Sequence, residues 1–492
     1  AVAERLGGRF SELAFAEAVS AWLADAEAHV EDLDLFARFA AWASQTPEGR
    51  RAHHRGVLFS HPEKHDPMDL VPTAARDDGP LPLREGPALR RREGFALTDP
   101  GADMARVADQ ANYCITCHNQ GKDSCSKGMT DKATGAIAVN PLGRRMAGCP
   151  LEERISEMIA ARRDGHFAAA LGIVAVDNPM CAGTGHRICN DCMVACIYQN
   201  QMRDPVNIPE IETRVLKDVL GLPWGFEIYA LATRWNPFSL RAPLPAPETG
   251  YAVLVAGLGP AGYTLAHRLL RAGHAVVAVD GLKIEPLPPE ISGIAADGSA
   301  APFRPIRDVA ELWRSLDTRV TAGFGGVAEY GITVRWDKNF LTLIRLILER
   351  DRGFRMFGGV RFGSTLDFAD AKAYGFDHVA LCLGAGKPTL VPMTGKLLPG
   401  VRQASDFLMA LQLTGAALPQ SVANLQVRLP VAVIGGGLTA VDACTEALAY
   451  YPVQVEKFLA RYETLVAERG RTAVEAAWTL GERAVAEEFL AH

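Results

Sequence analysis

The stretch YAVLVAGLGPAG, residues 251–262, decides the fold of this chain. Its first six residues form a short apolar run, as in a buried parallel strand. The next six match G-x-G-x-x-G, and residues 263–272 are expected to be a helix. A second apolar run, residues 275–279, ends at Asp280. A strand, a glycine-rich turn, a helix, a strand and an acid in this order predict a Rossmann-type dinucleotide-binding unit.

Each residue type in this turn has a physical role. The first glycine permits the tight turn, the second lets the backbone approach a pyrophosphate, and the third lets the helix pack closely on the strand. The pyrophosphate is then expected at the N-terminus of the helix, where free N–H groups and the helix dipole favour negative charge. The acid accepts a hydrogen bond from a ribose hydroxyl. The predicted cofactor-binding residues are Gly257, Gly259, Pro260, Ala261, Gly262 and Asp280.

A second glycine-rich turn follows the apolar run Val431–Ile434. It matches G-x-G-x-x-A, the other common dinucleotide variant. A helix is expected from Val441 to about Ala449, and Val453–Phe458 is the candidate second strand. No arginine pair lies at the end of that strand, so the sequence does not distinguish NADH from NADPH as the cofactor. Because this unit is incomplete, a glycine-rich loop without a cofactor is the alternative. The predicted binding residues are Gly435, Gly437, Leu438, Thr439 and Ala440.

A third, weaker signal is the strand-like run that begins at Phe376 and closes in Gly384-Ala385-Gly386. In flavoproteins with two dinucleotides, such a turn lies where the chain crosses between domains. Gly384 and Gly386 are therefore added to the predicted cofactor-binding residues. Cys382, within this run, and Cys444 are interpreted as small buried hydrophobes rather than nucleophiles.

The composition of the 492 residues is that of a globular protein of two to four domains. Lysine and arginine total 51 and aspartate and glutamate 57, a formal net charge of -6, which argues against a nucleic-acid partner. The apolar runs are broken by glycine well before the roughly 18 residues of a membrane span. No secretory signal is visible, so a cytoplasmic location is expected.

Eight of the ten cysteines lie between residues 114 and 196. Four interpretations are open: a disulfide framework, structural zinc on the two C-x2-C pairs, a c-type haem at Cys114–His118, or two [4Fe–4S] clusters. Two clusters of four thiols each leave none of the eight over, and the proline after Cys149 is common in ferredoxin-like loops. We expect the metal ligands to be Cys114, Cys117, Cys125, Cys149, Cys181, Cys189, Cys192 and Cys196.

This order of motifs resembles the small (β) subunit of glutamate synthase. It is also similar to the N-terminal half of dihydropyrimidine dehydrogenase and to the large subunit of NADH-dependent ferredoxin:NADP oxidoreductase. The likeness covers residues 100–450 and rests on five stretches. They are ANYCITC (111–117), GCP (148–150), RICNDCMVAC (187–196), GGVAEYGI (325–332, beside the flavin in the family) and GGGLTAVD (435–442). The resemblance adds Gly325 and Gly326 to the cofactor-binding residues.

The resemblance implies how the thiols divide between the clusters. Cys114, Cys117, Cys125 and Cys196 would hold one cluster, and Cys149, Cys189 and Cys192 the other. In some relatives a side chain other than cysteine is the last ligand of the second cluster. This sequence has an extra thiol, so we expect Cys181 to take that place. The chain departs from the family in longer spacings around Cys125, in an insertion over residues 281–324 and in Leu438, where asparagine or aspartate is usual.

The resemblance also implies an α/β architecture in which an all-helical iron–sulfur domain precedes two Rossmann-like domains, with the NAD(P)H domain inserted in the FAD domain. The expected domains are a helical extension and linker (1–100), with amphipathic helices over residues 13–42, then the iron–sulfur domain (101–235), with a helix over residues 151–171. The FAD domain (250–428) and an NAD(P)H domain (429–492) follow. The last is expected to be truncated, because the later Gly-Asp turn of the family is missing before His492.

The function implied is an oxidoreductase that moves electrons between NADPH or NADH, FAD, two [4Fe–4S] clusters and a partner subunit or further domain. No acid–base pair stands out, so no catalytic residue is assigned. The sequence has no C-x4-C motif, which argues against the dithiol chemistry of related disulfide reductases. Two alternatives remain at this point. One is a dihydropyrimidine dehydrogenase-like reductase whose substrate domain lies elsewhere, and the other is a zinc-stapled scaffold that binds a dinucleotide.

Overall fold

The computed structural model describes residues 1–53, 56–59, 64–66, 93–201, 204–318, 320, 322–330, 336–385, 388–423 and 425–492. These residues form 22 α-helices, two 3₁₀ turns (Cys117–Asn119 and Val309–Leu312) and four β-strands. The chain divides into two compact units. Unit 1 comprises residues 1–84, 101–222 and 236–239, and unit 2 comprises residues 85–100, 223–235 and 240–492.

The regular elements of unit 1 within its described part are helices, and the loop over residues 128–154 adds two isolated β-bridges. Its helices are α1 (Val2–Arg5), α2 (Glu12–Leu23), α3 (Val30–Gln45), α4 (Pro47–Ala52), α5 (Met104–Tyr113), α6 (Ser124–Lys127), α7 (Ile155–Arg163), α8 (Phe167–Asp177), α9 (Cys181–Thr184), α10 (Asp191–Val194), α11 (Tyr198–Gln201) and α12 (Ile208–Leu220). The amphipathic pattern over residues 13–42 corresponds to α2 and α3. Those two helices pack through Phe15 and Phe36, whose stacked rings lie 4.6 Å apart.

The single helix expected over residues 151–171 is two helices, α7 and α8. Gly165 separates them with a φ of 84°, a backbone conformation that glycine adopts at no steric cost. The apolar residues Met158, Ile159 and Leu171 of these helices are fully buried. A buried ion pair joins α7 to α12, with Arg162 donating to Asp218 at 3.1 Å.

Unit 2 contains one parallel sheet, in the order β3-β2-β1-β4. Its strands are β1 (Ala252–Ala256), β2 (Ala275–Asp280), β3 (Phe354–Gly358) and β4 (His378–Leu381). Residues 253–256 of β1 are buried; β2 and β4 flank this strand, and helix α14 (Pro260–Arg271) packs against it. The strands predicted over 251–256 and 275–279 are therefore present as β1 and β2, and the α/β class is confirmed. The five-residue strand β3, whose second residue is Arg355, was not predicted from the sequence.

The remaining helices of unit 2 lie before, between and after these strands. They are α13 (Gly225–Arg234), α14 (Pro260–Arg271), α15 (Pro289–Ser292), α16 (Val327–Tyr330), α17 (Phe340–Glu349), α18 (Phe368–Ala373), α19 (Ala404–Leu413), α20 (Leu438–Arg469), α21 (Arg471–Ala476) and α22 (Leu480–Ala491). Within the described ranges, no helix combines the length and the apolar character that a membrane crossing requires.

The second Rossmann-like unit lacks its predicted strands. Val431–Ile434 is not a strand, and Ile434 is 70% exposed. No strand lies beside it in the described part of the chain, and an unpaired strand leaves its backbone N–H and C=O groups without partners. The strand predicted at Val453–Phe458 is wrong, because these residues belong to the 32-residue helix α20. Buried Tyr450, Gln454 and Tyr462 recur there at helical spacing.

Candidate functional site

The first glycine-rich turn connects β1 to α14 and is tightly packed. Gly257 has a φ of 103°, and a Cβ atom at this position would lie 2.2 Å from the carbonyl oxygen of Cys382. A Cβ atom on Gly262 would lie 1.8 Å from the carbonyl oxygen of Gly257. Only glycine fits at either position. Gly259 is different, since its nearest neighbour would be the carbonyl oxygen of Gly325 at 3.8 Å, so this backbone stays approachable.

Asp280, at the end of β2, is held by the backbone on both sides. The Leu258 N–H, inside the glycine turn, donates to one carboxylate oxygen at 2.9 Å. The Leu282 N–H donates to the other, also at 2.9 Å. Each oxygen keeps a second lone pair, so the carboxylate can still accept from a hydroxyl group. Pro260 and Ala261 are the first two residues of α14; Pro260 has no N–H, and the Ala261 N–H has no partner inside the helix.

The predicted glycine pair Gly325–Gly326 lies against the first turn. Both residues have positive φ, and a Cβ atom on Gly326 would lie 3.2 Å from the Cα of Gly259. This contact joins two stretches that are more than sixty residues apart in the sequence. Residues 331 and 332 of the same motif lie outside the described residues.

Two side chains after the glycine pair were not predicted. Glu329 is fully buried, and its carboxylate accepts from the Ala322 N–H at 3.1 Å. Tyr330 lies near Asp280: burial raises the pKa of this phenol, and the charge of Asp280 raises it further. The motif therefore contributes a tyrosine next to the proposed ribose acceptor.

The turn after β4 borders the first turn through Cys382. The Cys382 N–H donates to the carbonyl of Ala256 at 2.8 Å, which extends the pairing of β4 with β1. Gly384 has a φ of 68° and open space around it, and Gly386 lies outside the described residues. Cys382 is partly buried, whereas Cys444 is exposed, so the interpretation of Cys444 as a buried hydrophobe is wrong.

The second glycine-rich turn precedes α20. Gly435 has a φ of 128°, and Gly437 is the N-cap residue of the helix. Leu438, Thr439 and Ala440 form its first turn. No atom lies within 4 Å of a Cβ placed on Gly437, so this backbone is open. The helix predicted after this turn is present, but the strands that would flank it are missing.

Four cysteine thiols of unit 1 form one electrostatic neighbourhood, here called group A: Cys114, Cys117, Cys125 and Cys196. Burial raises the pKa of each thiol. The charge of Cys196 adds to this effect at Cys114, whose pKa is raised to about 11, and at Cys125. Left-handed Thr116 (φ 51°) shapes the turn, and its N–H donates to the Cys114 sulfur at 3.4 Å.

A chain of hydrogen bonds lies behind group A. The Ser156 hydroxyl donates to one oxygen of Asp123 at 2.9 Å and lies 2.7 Å from Nδ1 of His118. The other oxygen of Asp123 accepts from the Cys125 thiol at 2.8 Å. Ser156 and Asp123 are buried. The chain therefore joins the loops that carry Cys117 and Cys125 to the start of α7.

A second neighbourhood, group B, contains Cys149, Cys189, Cys192 and the carboxylate of Glu212. Burial raises the pKa of all three thiols, and the charge of Glu212 raises each of them further. The pKa of Glu212 is itself raised by burial, while a hydrogen bond from Asn178 at 3.2 Å opposes this.

Local packing fixes the Gly148–Cys149 loop of group B. A Cβ atom on Gly148 would lie 2.4 Å from the Gly128 nitrogen, so this position requires glycine. The Cys149 N–H donates to the carbonyl of Cys125 at 2.9 Å. The backbone thus connects the loops of groups A and B directly.

Glu212 is not among the residues predicted from the sequence, which gave Cys181 as the fourth ligand of the second cluster. Cys181 is buried at the start of α9, and its place as a ligand of the second cluster stays a prediction. The helical spacing of Ile208, Glu212 and Leu216 is the signal that could have found the carboxylate, because it places an acid on the buried face of α12.

The spacing of the ligand side chains bears on whether groups A and B could hold a metal. Across the described ranges, no three His, Cys, Asp or Glu side chains are gathered closely enough to hold a single metal ion. A [4Fe–4S] cube, however, takes each ligand on a different iron, so its ligands stand further apart than those of one zinc ion. Group A has the four thiols that one cube requires, and group B has three thiols and one carboxylate.

The comparisons with known proteins agree with this geometry in unit 2. Residues 251–477 match the family described as pyridine nucleotide-disulphide oxidoreductase. This region is an oxidoreductase domain of that family. Membership implies binding of a flavin and a nicotinamide cofactor. The disulphide in the family's name has no dithiol counterpart at the first turn, where Cys382 is the cysteine in contact with the glycines.

Three relatives extend the likeness of the oxidoreductase. An uncharacterized protein of Rickettsia prowazekii (strain Madrid E) is 50% identical over 313 residues, 64% of this chain and 41% of the relative. The glutamate synthase [NADPH] small chain of Mycobacterium tuberculosis (strain ATCC 25618 / H37Rv) is 27% identical over 263 residues, 53% and 42% of the two chains. That of Bacillus subtilis (strain 168) is 26% identical over 376 residues, 75% and 63%. The predicted resemblance to glutamate synthase small chains is thus confirmed. The chain spans less than two thirds of each relative.

Proposed function

We propose that this chain is an NAD(P)H-dependent oxidoreductase with FAD and two [4Fe–4S] clusters that delivers electrons to a partner subunit or domain. The observation that carries the proposal is the division of the clustered cysteines into groups A and B in a chain that also holds a flavoprotein-type turn. When bound, the flavin would exchange hydride equivalents with a pyridine nucleotide and single electrons with clusters. A cytoplasmic location is part of the proposal, since free thiols persist in reducing compartments.

In this proposal the residues of unit 2 bind and orient. The N–H groups of the first turn and of the α14 N-terminus would receive the flavin pyrophosphate, and Asp280 would accept from its ribose. Gly325–Gly326 and Gly384 would border the same nucleotide. The Gly435–Ala440 turn would receive the pyrophosphate of NADH or NADPH at the N-terminus of α20. No side chain needs to move a proton for hydride transfer between these cofactors.

In unit 1 the proposed role of the cysteines in groups A and B is to bind the clusters as thiolates. A thiolate in groups A or B is disfavoured by burial and by its neighbours, as the raised pKa values show. The positive charge of iron removes this penalty, so the groups are suited to a metal cluster and poorly suited to free thiolates. Group A offers four thiolates, and group B offers three together with either Glu212 or Cys181.

The decisive test is the colour and metal content of the whole chain purified without oxygen. We expect a flavin spectrum and a broad absorption band near 400 nm whose intensity corresponds to about two clusters. We also expect about eight iron atoms per chain. Colourless protein that contains zinc would reject the proposal in favour of a zinc-stapled scaffold. Protein that binds flavin but contains no iron would remain consistent with an oxidoreductase domain in unit 2. It would reject the proposed electron path through unit 1.

The fourth ligand of group B can be assigned by a pair of matched variants. If Glu212 is the ligand, Glu212→Gln alters the electron paramagnetic resonance signal of one reduced cluster, while Cys181→Ser leaves iron content and spectrum unchanged. The opposite result would assign Cys181. Changing the exposed Cys444 to serine is the control for loss of a thiol outside both groups.

A further inference from the structure

A cavity of about 300 Å³ lies among the C-terminal helices of unit 2, within the size range of small-molecule sites. Its walls come from one face of α20, from α21 and α22, and from the segment before the second glycine turn. None of the residues predicted to bind a dinucleotide lines it. Its lining includes aromatic side chains, two cations and one carboxylate.

Most polar groups of the lining are already satisfied by the protein. The Tyr450 hydroxyl donates to the carbonyl of Leu425 at 2.7 Å. The Gln454 amide uses both ends on Val427, accepting at 2.7 Å and donating at 2.9 Å. The Tyr462 hydroxyl donates to Glu475 at 2.6 Å. These side chains shape the cavity and have little left to offer a ligand.

Two cations of the lining are the exception. Lys457 donates to the carbonyl of Ala416 at 2.8 Å, and Arg461, one turn later on α20, donates to the carbonyls of Pro419 and Ser421 at 3.1 and 2.7 Å. A carbonyl carries no net charge, and in the part of the chain that is described neither cation forms an ion pair. Both keep unused N–H donors. The cavity therefore has two positive charges that are not balanced by an ion pair among the described residues.

The one carboxylate in the lining is committed elsewhere. Glu482 accepts from the N–H and the hydroxyl of Thr479, both at 2.8 Å, in the capping box that starts α22. Five aromatic and six aliphatic side chains make up most of the remaining wall. Phe458 packs edge-on against Phe489 at 5.5 Å, and Tyr462 lies 5.7 Å from Trp478.

We propose that this cavity binds a small aromatic carboxylic acid. Its ring would pack among Phe458, Trp478 and Phe489, and its carboxylate would accept from Lys457 and Arg461. Charge-assisted hydrogen bonds from a pair of cations supply orientation, and burial of the ring supplies most of the affinity. An inorganic anion would satisfy the cations but leave the aromatic wall uncovered. The proposal is independent of the nucleotide and cluster sites.

The test compares two probes on the whole chain by isothermal titration calorimetry. The probes are 3-phenylpropionate and its uncharged isostere 3-phenylpropanamide. We expect the acid to bind saturably at one site and the amide to bind at least about tenfold more weakly, a difference of about 1.4 kcal/mol. Equal binding of both probes, or no binding of the acid at millimolar concentration, would overturn the proposal. Inorganic phosphate that binds as tightly as the acid would also overturn it.

Three charge variants on the same helix locate the site. Lys457→Gln and Arg461→Gln should each weaken binding of the acid at least about fivefold and leave binding of the amide unchanged. Arg469→Gln removes a cation from the end of α20, outside the lining, and should bind the acid like the unchanged chain. If Arg469→Gln loses as much affinity as the other two, the effect is general charge and the assignment fails. Circular dichroism of each variant verifies that α20 is retained.

Discussion

Gly262 is the position where a single methyl group has the clearest consequence. We expect Gly262→Ala to push α14 away from the turn, because the added Cβ would lie 1.8 Å from a backbone oxygen. Flavin content per chain should fall at least about tenfold, corresponding to about 1.4 kcal/mol of binding free energy. Absorbance near 450 nm measures it. Gly481→Ala, in open space on α22, is the control and should retain the flavin.

Ser156 supports group A from behind. Ser156→Ala removes the hydroxyl that Asp123 and His118 share, and leaves a buried carboxylate oxygen without that donor. The free energy of unfolding should fall by about 1–3 kcal/mol. Chemical denaturation monitored by circular dichroism measures the change. Ser20→Ala, on the exposed part of α2, should change stability by less than about 0.5 kcal/mol. Equal stability of both variants would contradict the role of the hydrogen-bond chain.

At this scale, the sequence was most informative where geometry leaves no choice of residue. Gly257, Gly262 and Gly148 were singled out from their motifs, and each position excludes a side chain by contact with backbone atoms. Glu212 was not predicted because the packing of α12 brings its charge near Cys192, and motif spacing does not encode that packing. The exposure of Cys444 could not be predicted either, since the helical pattern around it does not show which face is covered.

Helix α14 contains a buried histidine that makes stability depend on pH. Burial lowers the pKa of His267 to about 3, and the nearby charges of Arg268, Arg271 and Arg234 act in the same direction. The folded state keeps the ring neutral while the unfolded chain takes up a proton below about pH 6.5. Stability from this group is therefore complete above pH 6.5 and is lost as pH falls toward 3.

The expected slope between pH 6 and pH 4 is about 1.4 kcal/mol per pH unit from this one residue. His267→Leu should remove that part of the slope, as seen in denaturation curves taken at several pH values. His378→Leu is the matched control, because His378 is exposed on β4 and should keep the slope. Parallel pH profiles for the unchanged chain and His267→Leu would show that the ring is not held neutral.

Among the elements, predictions were correct where strand, turn and helix reinforced each other. The run from β1 through α14 to β2 shows this best. The second turn failed on its strands because Val431–Ile434 has no neighbouring strand among the described residues. Tyr450, Gln454, Phe458 and Tyr462 are as compatible with a helix face as with strand alternation, and in the structure the helix forms through Pro452. Short apolar runs do not separate these outcomes.

At the scale of the whole molecule, the two glycine turns should have separable roles. Gly437→Val would fill the open backbone at the start of α20 without a clash in the free protein. We expect reduction of the flavin by NADPH or NADH to slow at least about tenfold while flavin content is unchanged. Anaerobic stopped-flow absorbance measures the rate. Gly436→Val is the control. Because Gly436 lies in the same turn, we expect its variant to lower the rate of flavin reduction less than Gly437→Val does. Loss of flavin in Gly437→Val would show that the two turns do not act separately.

The α/β class and the oxidoreductase family could be inferred from local motifs, because a dinucleotide fold is written within about thirty consecutive residues. The grouping of Cys196 with Cys114, more than eighty residues earlier, is not contained in any local motif, and the sequence indicated it only through the family resemblance. Which residues bind the cofactors remains a prediction for the variants above.

Asp280 holds its two backbone N–H groups before any nucleotide arrives, and this has a kinetic consequence. The turn and the carboxylate lose little rotational freedom on association, so the ordering cost of binding is already met by folding. Encounter of a nucleotide with such a rigid surface requires no rearrangement of the loop. Differences in affinity between nucleotides at this turn should therefore appear in their residence times more than in their association rates.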